Sequence, residues 1–158
     1  MSPLPTLISP MARRGTNLSP ARPGAFTRSM RLTHERQYDS IYLNKLRKTA
    51  HPLVIFFQVN QLHHPRLGLA VHRRLGTAVL RNQLKRRMRD AFREAISNLA
   101  HADGRNFDLI VQFRAVSEPP TVNACKEALL LATISAWREV ERRERRTIET
   151  PPKAGPDA

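Results

Sequence analysis

Positively charged side chains fall on one side of a helix predicted between Ala78 and Ala95, where the sequence is AVLRNQLKRRMRDAFREA. On a helical wheel the apolar residues form one stripe that would face a core, and Asp90 and Glu94 lie away from the cations. The polar face next to the stripe, called here the basic face, consists of Arg81, Asn82, Lys85, Arg86 and Arg89. Guanidinium and ammonium groups bind phosphates, while the Asn82 amide suits a base edge or a sugar hydroxyl.

An ordinary solvated surface is the usual explanation for such a run of charges. However, Arg81 and Lys85 carry like charges four residues apart, which is mildly repulsive. Cations this close to a predicted N-cap at Thr77 also oppose the helix dipole. Arg73 and Arg74 add further positive charge just before the helix. Because this arrangement costs stability, the pattern favours a phosphate-binding surface.

The whole chain is strongly basic. Its 158 residues suit one domain with tails, and 27 Lys and Arg against 13 Asp and Glu give a net charge of +14. A polyanionic partner, either nucleic acid or an anionic membrane, would relieve the self-repulsion. No apolar run reaches about 18 residues, the length needed to span a bilayer. The single cysteine, Cys125, fits a reducing compartment, and we expect the cytoplasm.

Catalytic and metal-binding patterns are absent from the sequence. The six His residues are scattered, and neither a paired set of catalytic carboxylates nor a nucleophile with a base can be located. Asp90 and Glu94, four residues apart, could hold a metal, but among so many cations we interpret them as ion-pair partners. The sequence therefore predicts no catalytic residue and no metal ligand in the protein.

The basic helix must be positioned by other elements. Apolar periodicity predicts helices over 30–46 and 121–146, and β-rich runs predict strands over 53–59, 66–71 and 107–113. The order is helix, two or three strands, helix, strand, helix. This order predicts an α/β two-layer sandwich with helices packed against a small sheet.

Both ends of the chain differ in composition from the middle. Residues 1–30 contain five Pro and four Arg and no acidic residue, which predicts a disordered basic extension. An organellar transit peptide is an alternative that the Pro content disfavours. Residues 147–158 are predicted to form a flexible tail, leaving 31–146 as the folded domain.

Arg66–Glu94, RLGLAVHRRLGTAVLRNQLKRRMRDAFRE, closely resembles the signature of the bacterial ribonuclease P protein family. That signature is a strand of the form R-x-G-L-x-V ending in two basic residues, a turn, and a helix carrying R-N-R-x-K-R. A weaker, collinear resemblance extends over 31–140. Gln83 stands where the family usually has the second Arg of R-N-R, and Arg87 lies on another face and cannot replace it. Thr77 replaces the usual Asn at the helix start and keeps its capping ability.

The resemblance implies an α+β fold similar to a domain of ribosomal proteins, with about four strands, three helices and a left-handed β-α-β crossover around the basic helix. Periodicity alone would predict the opposite hand. The resemblance also implies an RNA partner. In this family the protein joins the catalytic RNA of ribonuclease P, one protein per RNA, and the complex hydrolyses the 5′ leader from precursor tRNA. Mg²⁺ belongs mainly to the RNA, so the protein alone would bind no cofactor.

By position, the family's RNA contacts fall on Arg73, Arg74, Arg81, Asn82, Lys85, Arg86 and Arg89. Its cleft for the single-stranded leader falls on Tyr38, Tyr42 and Phe56, whose rings suit sequence-tolerant stacking. Ordinary core packing is the alternative for these three aromatic residues. A structural RNA-binding protein of ribosomal or assembly type is the alternative function, whereas a lone metal-dependent nuclease lacks a ligand set.

Overall fold

Four strands and three helices make up the described part of the chain, residues 26–115 and 118–149 of a computed structural model. In chain order they are α1 (Glu35–Leu43), β1 (Leu46–Ala50), β2 (Leu53–Asn60), β3 (Arg66–Ala70), α2 (Ala78–Ala95), β4 (Asn106–Phe113) and α3 (Val122–Glu149). The predicted α/β fold, with about four strands and three helices, is confirmed.

The strands form one mixed sheet in the order β1-β2-β4-β3. β3 runs parallel to β4, and the other neighbouring pairs are antiparallel. The parallel pair needs a crossover connection, which α2 supplies. The left hand of this crossover stays a prediction.

Helices lie on both faces of the sheet. Leu109 and Val111 of β4 join a large core with α2 and α3, whereas Ile110 between them joins a small cluster with Ile41 of α1 and Leu32. Successive strand residues point to opposite faces, so β4 is covered on both sides. The helix α1 thus adds a partial third layer to the predicted two-layer sandwich.

The first helix is shorter than the predicted range 30–46. It begins after His34, where a capping box with Gln37 satisfies backbone groups at the helix start. It ends before Lys45, whose φ of +55° turns the chain into β1. Leu46, which fits the helical spacing after Tyr42, is the first residue of that strand instead.

Residues that precede the predicted domain start at 31 pack against the core. Phe26 and Met30 pack against the large core, and the Phe26 ring meets Phe92 of α2 edge to face at 5.4 Å between centroids. The composition of residues 1–30 does not reveal this aromatic contact. At the other end α3 continues to Glu149, three residues beyond 146. The remaining residues of the predicted extension and tail, 1–25 and 150–158, lie outside the described ranges.

Within residues 26–115 and 118–149, no helix combines the length and the apolar character needed to cross a membrane. The same residues contain no group of three or more His, Cys, Asp or Glu side chains placed to share a metal ion.

Candidate nucleic-acid interface

The rotation of α2 about its axis is fixed by its apolar stripe and by its N-cap. Leu84, Met88 and Phe92 are fully buried against the sheet and α3. The Thr77 hydroxyl accepts a hydrogen bond from the Leu80 N–H at 3.2 Å, as its predicted capping role requires. With the stripe held inward, the basic face is directed away from the core.

The basic face is accessible and unpaired. Asn82 and Arg86 are exposed, and Arg81, Lys85 and Arg89 are half-buried, so their stems pack on the protein. Within the described residues, none of the four cations of this face lies within ion-pair distance of a carboxylate. The Nε of Arg81 is buried and has no hydrogen-bond partner there. This concentration of uncompensated charge favours a polyanionic partner.

The acidic residues of α2 are neutralised elsewhere. Asp90 forms an ion pair with Arg93 one turn later, and Glu94 lies 3.8 Å from the Lys126 ammonium of α3. Both were predicted to be ion-pair partners, and these contacts confirm it. Neither carboxylate therefore reduces the positive charge of the basic face.

Arg87 and Gln83 occupy different sides of the helix. Arg87 donates hydrogen bonds to the carbonyl oxygens of Pro119 at 3.1 Å and Pro120 at 2.9 Å, which ties α2 to the start of α3. Gln83 is exposed and lines a shallow depression together with Asn82 and Arg86. Arg87 cannot supply the charge missing at Gln83, but the Gln83 amide remains free to hydrogen-bond at that point of the surface.

Arg73 and Arg74 lie in a short 3-10 turn between β3 and α2, and both are exposed. The His72 imidazole accepts a hydrogen bond from the Arg74 N–H at 3.1 Å and holds the turn. Gly76 follows with φ of +141°, a conformation that favours glycine. The turn places both arginines directly before the start of α2, where backbone N–H groups also favour anions.

The three predicted aromatic residues form one end of the smaller core cluster. Tyr42 and Phe56 meet edge to face with ring centroids 4.8 Å apart, and all three rings are half-buried against Leu32, Ile41 and Ile110. Core packing therefore accounts for part of the surface of each residue, and the rest remains accessible. We call Tyr38, Tyr42 and Phe56 the aromatic cleft.

Two polar residues beside the cleft were missed from the sequence. The guanidinium of Arg47 lies 6.0 Å from the Phe56 ring centroid, and the Gln112 amide donates a hydrogen bond to the Tyr42 hydroxyl at 3.3 Å. Arg47 is the cross-strand partner of Phe56, a relationship that appears only once the β1–β2 register is known. A cation and an amide beside accessible rings suit a nucleotide strand.

Tyr38 connects the cleft with α2. Its ring lies against Gly68 of β3, and its hydroxyl is 3.5 Å from the Leu32 carbonyl oxygen. Burial raises the pKa of this phenol, although a hydrogen bond with the Leu69 backbone acts in the opposite direction. Tyr38 also lines a cavity with Lys85 and Arg89, so the aromatic cleft and the basic face adjoin at this residue.

Comparison with known proteins gives a consistent result. The family model described as Ribonuclease P matches residues 26–139. The ribonuclease P protein component of Vibrio parahaemolyticus is 38% identical over 80 residues, which cover 50% of this chain and 68% of the relative.

Solved structures of the same kind share the fold. The ribonuclease P protein of Staphylococcus aureus superposes with a TM-score of 0.57 at 27% identity, covering 68% of this chain and 94% of that protein. The protein from Thermotoga maritima gives 0.55 at 28% identity, covering 64% and 92%.

Proposed function

The chain belongs to the ribonuclease P protein family, and we propose that its two surfaces bind two different RNAs of that endoribonuclease. It is a protein subunit of the holoenzyme, which acts in tRNA processing. The catalytic RNA is assigned to the basic face together with the adjoining turn, Arg73 and Arg74. The 5′ leader of precursor tRNA is assigned to the aromatic cleft.

The observation that carries the first assignment is the separation of charge on α2. The four cations of the basic face have no carboxylate partner within the described residues, whereas Asp90 and Glu94 are both paired. Phosphates neutralised by such cations release condensed counterions, which drives RNA binding and makes it strongly dependent on salt. Asn82 and Gln83 add hydrogen-bonding groups for base edges or the 2′-hydroxyl.

Accessible aromatic faces support the second assignment. Tyr42 of α1 and Phe56 of β2 are both half-buried and meet edge to face, and the Arg47 guanidinium lies near the Phe56 ring. Stacking on such rings tolerates any base, and a neighbouring cation follows the backbone. A leader whose sequence varies from one precursor to the next requires this type of binding.

Hydrolysis is proposed to take place on the RNA, with Mg²⁺ held there. The described residues offer no ligand set that fits such an ion, and the carboxylates of α2 are engaged with cations. The protein would contribute by holding the leader in register with the catalytic RNA. We propose one protein per RNA, acting in the cytoplasm.

The test is reconstitution. The purified protein is added to a bacterial ribonuclease P RNA and a 5′-extended precursor tRNA at low Mg²⁺, and leader removal is followed. We expect the protein to accelerate cleavage at the mature 5′ end. Binding without acceleration would support the alternative, a structural RNA-binding protein, and would refute the proposed function.

A further inference from the structure

A small cavity of about 160 Å³ lies at the outer edge of β3, where the chain before α1 and the middle of α2 approach each other. Its polar lining comes from three separate parts of the sequence: Arg31, Tyr38, Lys85 and Arg89, with Gly68 and Leu69 of β3 forming one wall. Arg31 lies outside the Arg66–Glu94 signature and outside the aromatic cleft, at the start of the weaker resemblance over 31–140.

The cavity is positively charged. Arg31, Lys85 and Arg89 all line it, and its lining contains no Asp or Glu. None of the three cations is within ion-pair distance of a carboxylate in the described ranges. Three positive charges around one small space repel one another, and an anion bound between them would add attractions that offset this repulsion.

Arg31 is held in position before any ligand arrives. The Arg31 backbone forms an isolated parallel β-bridge with Leu67 of β3. The N–H of the next residue, Leu32, donates a hydrogen bond to the Leu67 carbonyl oxygen at 3.0 Å. Its guanidinium lies 5.1 Å from the centroid of the Phe26 ring, and that ring is fixed against Phe92. Stacking on an aromatic ring limits the freedom of an Arg side chain, so less entropy is lost on binding.

The size and the neutral donors of the cavity suit a phosphate group. At about 160 Å³ the space is large enough to admit a phosphate group and too small for a nucleobase with its sugar. The Tyr38 hydroxyl lies on the wall beside the cations. Arg can bind a phosphate bidentately and Lys as a point charge.

We propose that this cavity binds one backbone phosphate of the strand that occupies the aromatic cleft. The inference rests on the proposed function, because it takes that strand to be the precursor-tRNA leader. Tyr38 forms a wall of the cavity and is also part of the cleft cluster with Tyr42 and Phe56, so one strand can reach both. Lys85 and Arg89 belong to the basic face and also border the cavity, so the catalytic RNA is the other available source of a phosphate, and the experiment separates the two.

The experiment compares holoenzymes assembled with the wild-type protein, Arg31→Gln, Arg31→Lys, and Arg36→Gln as a matched charge control. Arg36 is exposed in the first turn of α1 and does not line the cavity. Binding is measured for the catalytic RNA, for precursor tRNA with a long leader, and for mature tRNA. We expect Arg31→Gln to weaken binding of the leader-bearing substrate about tenfold, the loss of one charge-assisted contact. Arg31→Lys should restore part of that loss, and Arg36→Gln should bind like the wild type.

A second measurement identifies the phosphate. Leaders carrying one neutral methylphosphonate linkage at successive positions are bound to the wild-type and Arg31→Gln holoenzymes. At one position the neutral linkage should weaken binding of the leader to the wild-type holoenzyme. The same linkage should not weaken binding to the Arg31→Gln holoenzyme any further. The proposal is overturned if no linkage shows this coupling, or if Arg31→Gln weakens catalytic-RNA assembly and leaves leader binding unchanged. Either result can occur while the wild-type protein still accelerates cleavage, so it would leave the proposed function standing.

Discussion

The Tyr38 ring rests directly on Gly68. A Cβ at Gly68 would come within 2.6 Å of the Tyr38 hydroxyl oxygen and 2.8 Å of Cζ, closer than real contacts allow. Glycine at position 68 therefore allows the Tyr38 ring to approach the β3 backbone closely, while the backbone at this position keeps an ordinary strand conformation. The absence of one methyl group lets α1 lie close to the sheet edge and positions Tyr38 between the cleft and α2.

Substitution Gly68→Ala should displace Tyr38. Overpacking of this kind typically costs about 1–3 kcal/mol in the free energy of unfolding, measured by urea denaturation. Adding Tyr38→Phe removes the nearest atom, so the double variant should recover part of the loss. Equal unfolding free energies for wild type and Gly68→Ala would show that the ring does not occupy this position.

The salt dependence of RNA binding should report the basic face directly. Replacing one cation that contacts a phosphate reduces the magnitude of the slope of log K against log salt by about 0.7–0.9. We expect this reduction for Arg86→Gln, measured with a bacterial ribonuclease P RNA. Arg138→Gln on α3 makes the same change of charge at an exposed site and serves as the control. Similar slopes for the two variants would mean that binding follows net charge alone.

Arg143 joins the end of α3 to the end of α1. Its guanidinium donates to the carbonyl oxygens of Asn44 and Lys45, each at 3.1 Å, and so satisfies groups left open by the end of α1. Arg143→Gln should lower the free energy of unfolding by about 1 kcal/mol. This loss is smaller than that of a buried hydrogen bond to a charged group, because the Arg143 side chain is partly exposed. Arg146→Gln, exposed in the last turns of α3, should change it little. Equal losses for both would contradict the capping role.

His101 should make stability depend on pH. Its ring bonds Glu141 at 2.8 Å and Asp103 at 2.9 Å, and the hydrogen bond to Glu141 is the main reason that its pKa is raised above 6.5. A raised folded-state pKa gives stability that is complete below pH 6.5 and is lost as pH rises through the folded value. Arg105, also close, acts against the shift.

Urea denaturation across this pH range should show the free energy of unfolding falling for the wild type. The fall should be absent in His101→Gln and kept in His51→Gln, an exposed histidine used as the control. At the acid end the sign reverses: hydrogen bonding from the Arg105 backbone lowers the pKa of Asp103 to about 2, so its contribution is lost as pH falls from about 3.8 toward 2. A flat profile above pH 6.5 in the wild type would contradict the ion pairing of His101.

The sequence was most informative where one helix carries its own pattern. The apolar stripe of α2, its N-cap at Thr77 and the Asp90–Arg93 ion pair follow from residues within a few turns of one another, whereas the partner of Glu94, Lys126, lies on α3. Local periodicity and local charge are sufficient for such features.

Tertiary contacts decided what the sequence could not predict. Leu46 keeps helical spacing from Tyr42, yet the positive φ of Lys45 assigns it to β1. Phe26 follows a Pro-rich stretch, and its contact with Phe92 on a distant helix places it against the core. The cavity at Arg31 joins residues separated by more than fifty positions, which no single-sequence pattern can bring together.

The central claim is that α2 binds the catalytic RNA and the aromatic cleft binds the leader. One set of titrations tests it with two variants, a charge-reversed Arg81/Lys85/Arg89 protein and Tyr42→Ala/Phe56→Ala. For each variant, equilibrium binding of the catalytic RNA is measured first, and binding of precursor and mature tRNA is measured next. Circular dichroism checks that both variants are folded. The account predicts that the first variant no longer assembles with the RNA. The second should assemble normally and lose the preference for leader-bearing substrate. A folded charge-reversed variant that still assembles, or a cleft variant that keeps the leader preference, would contradict it.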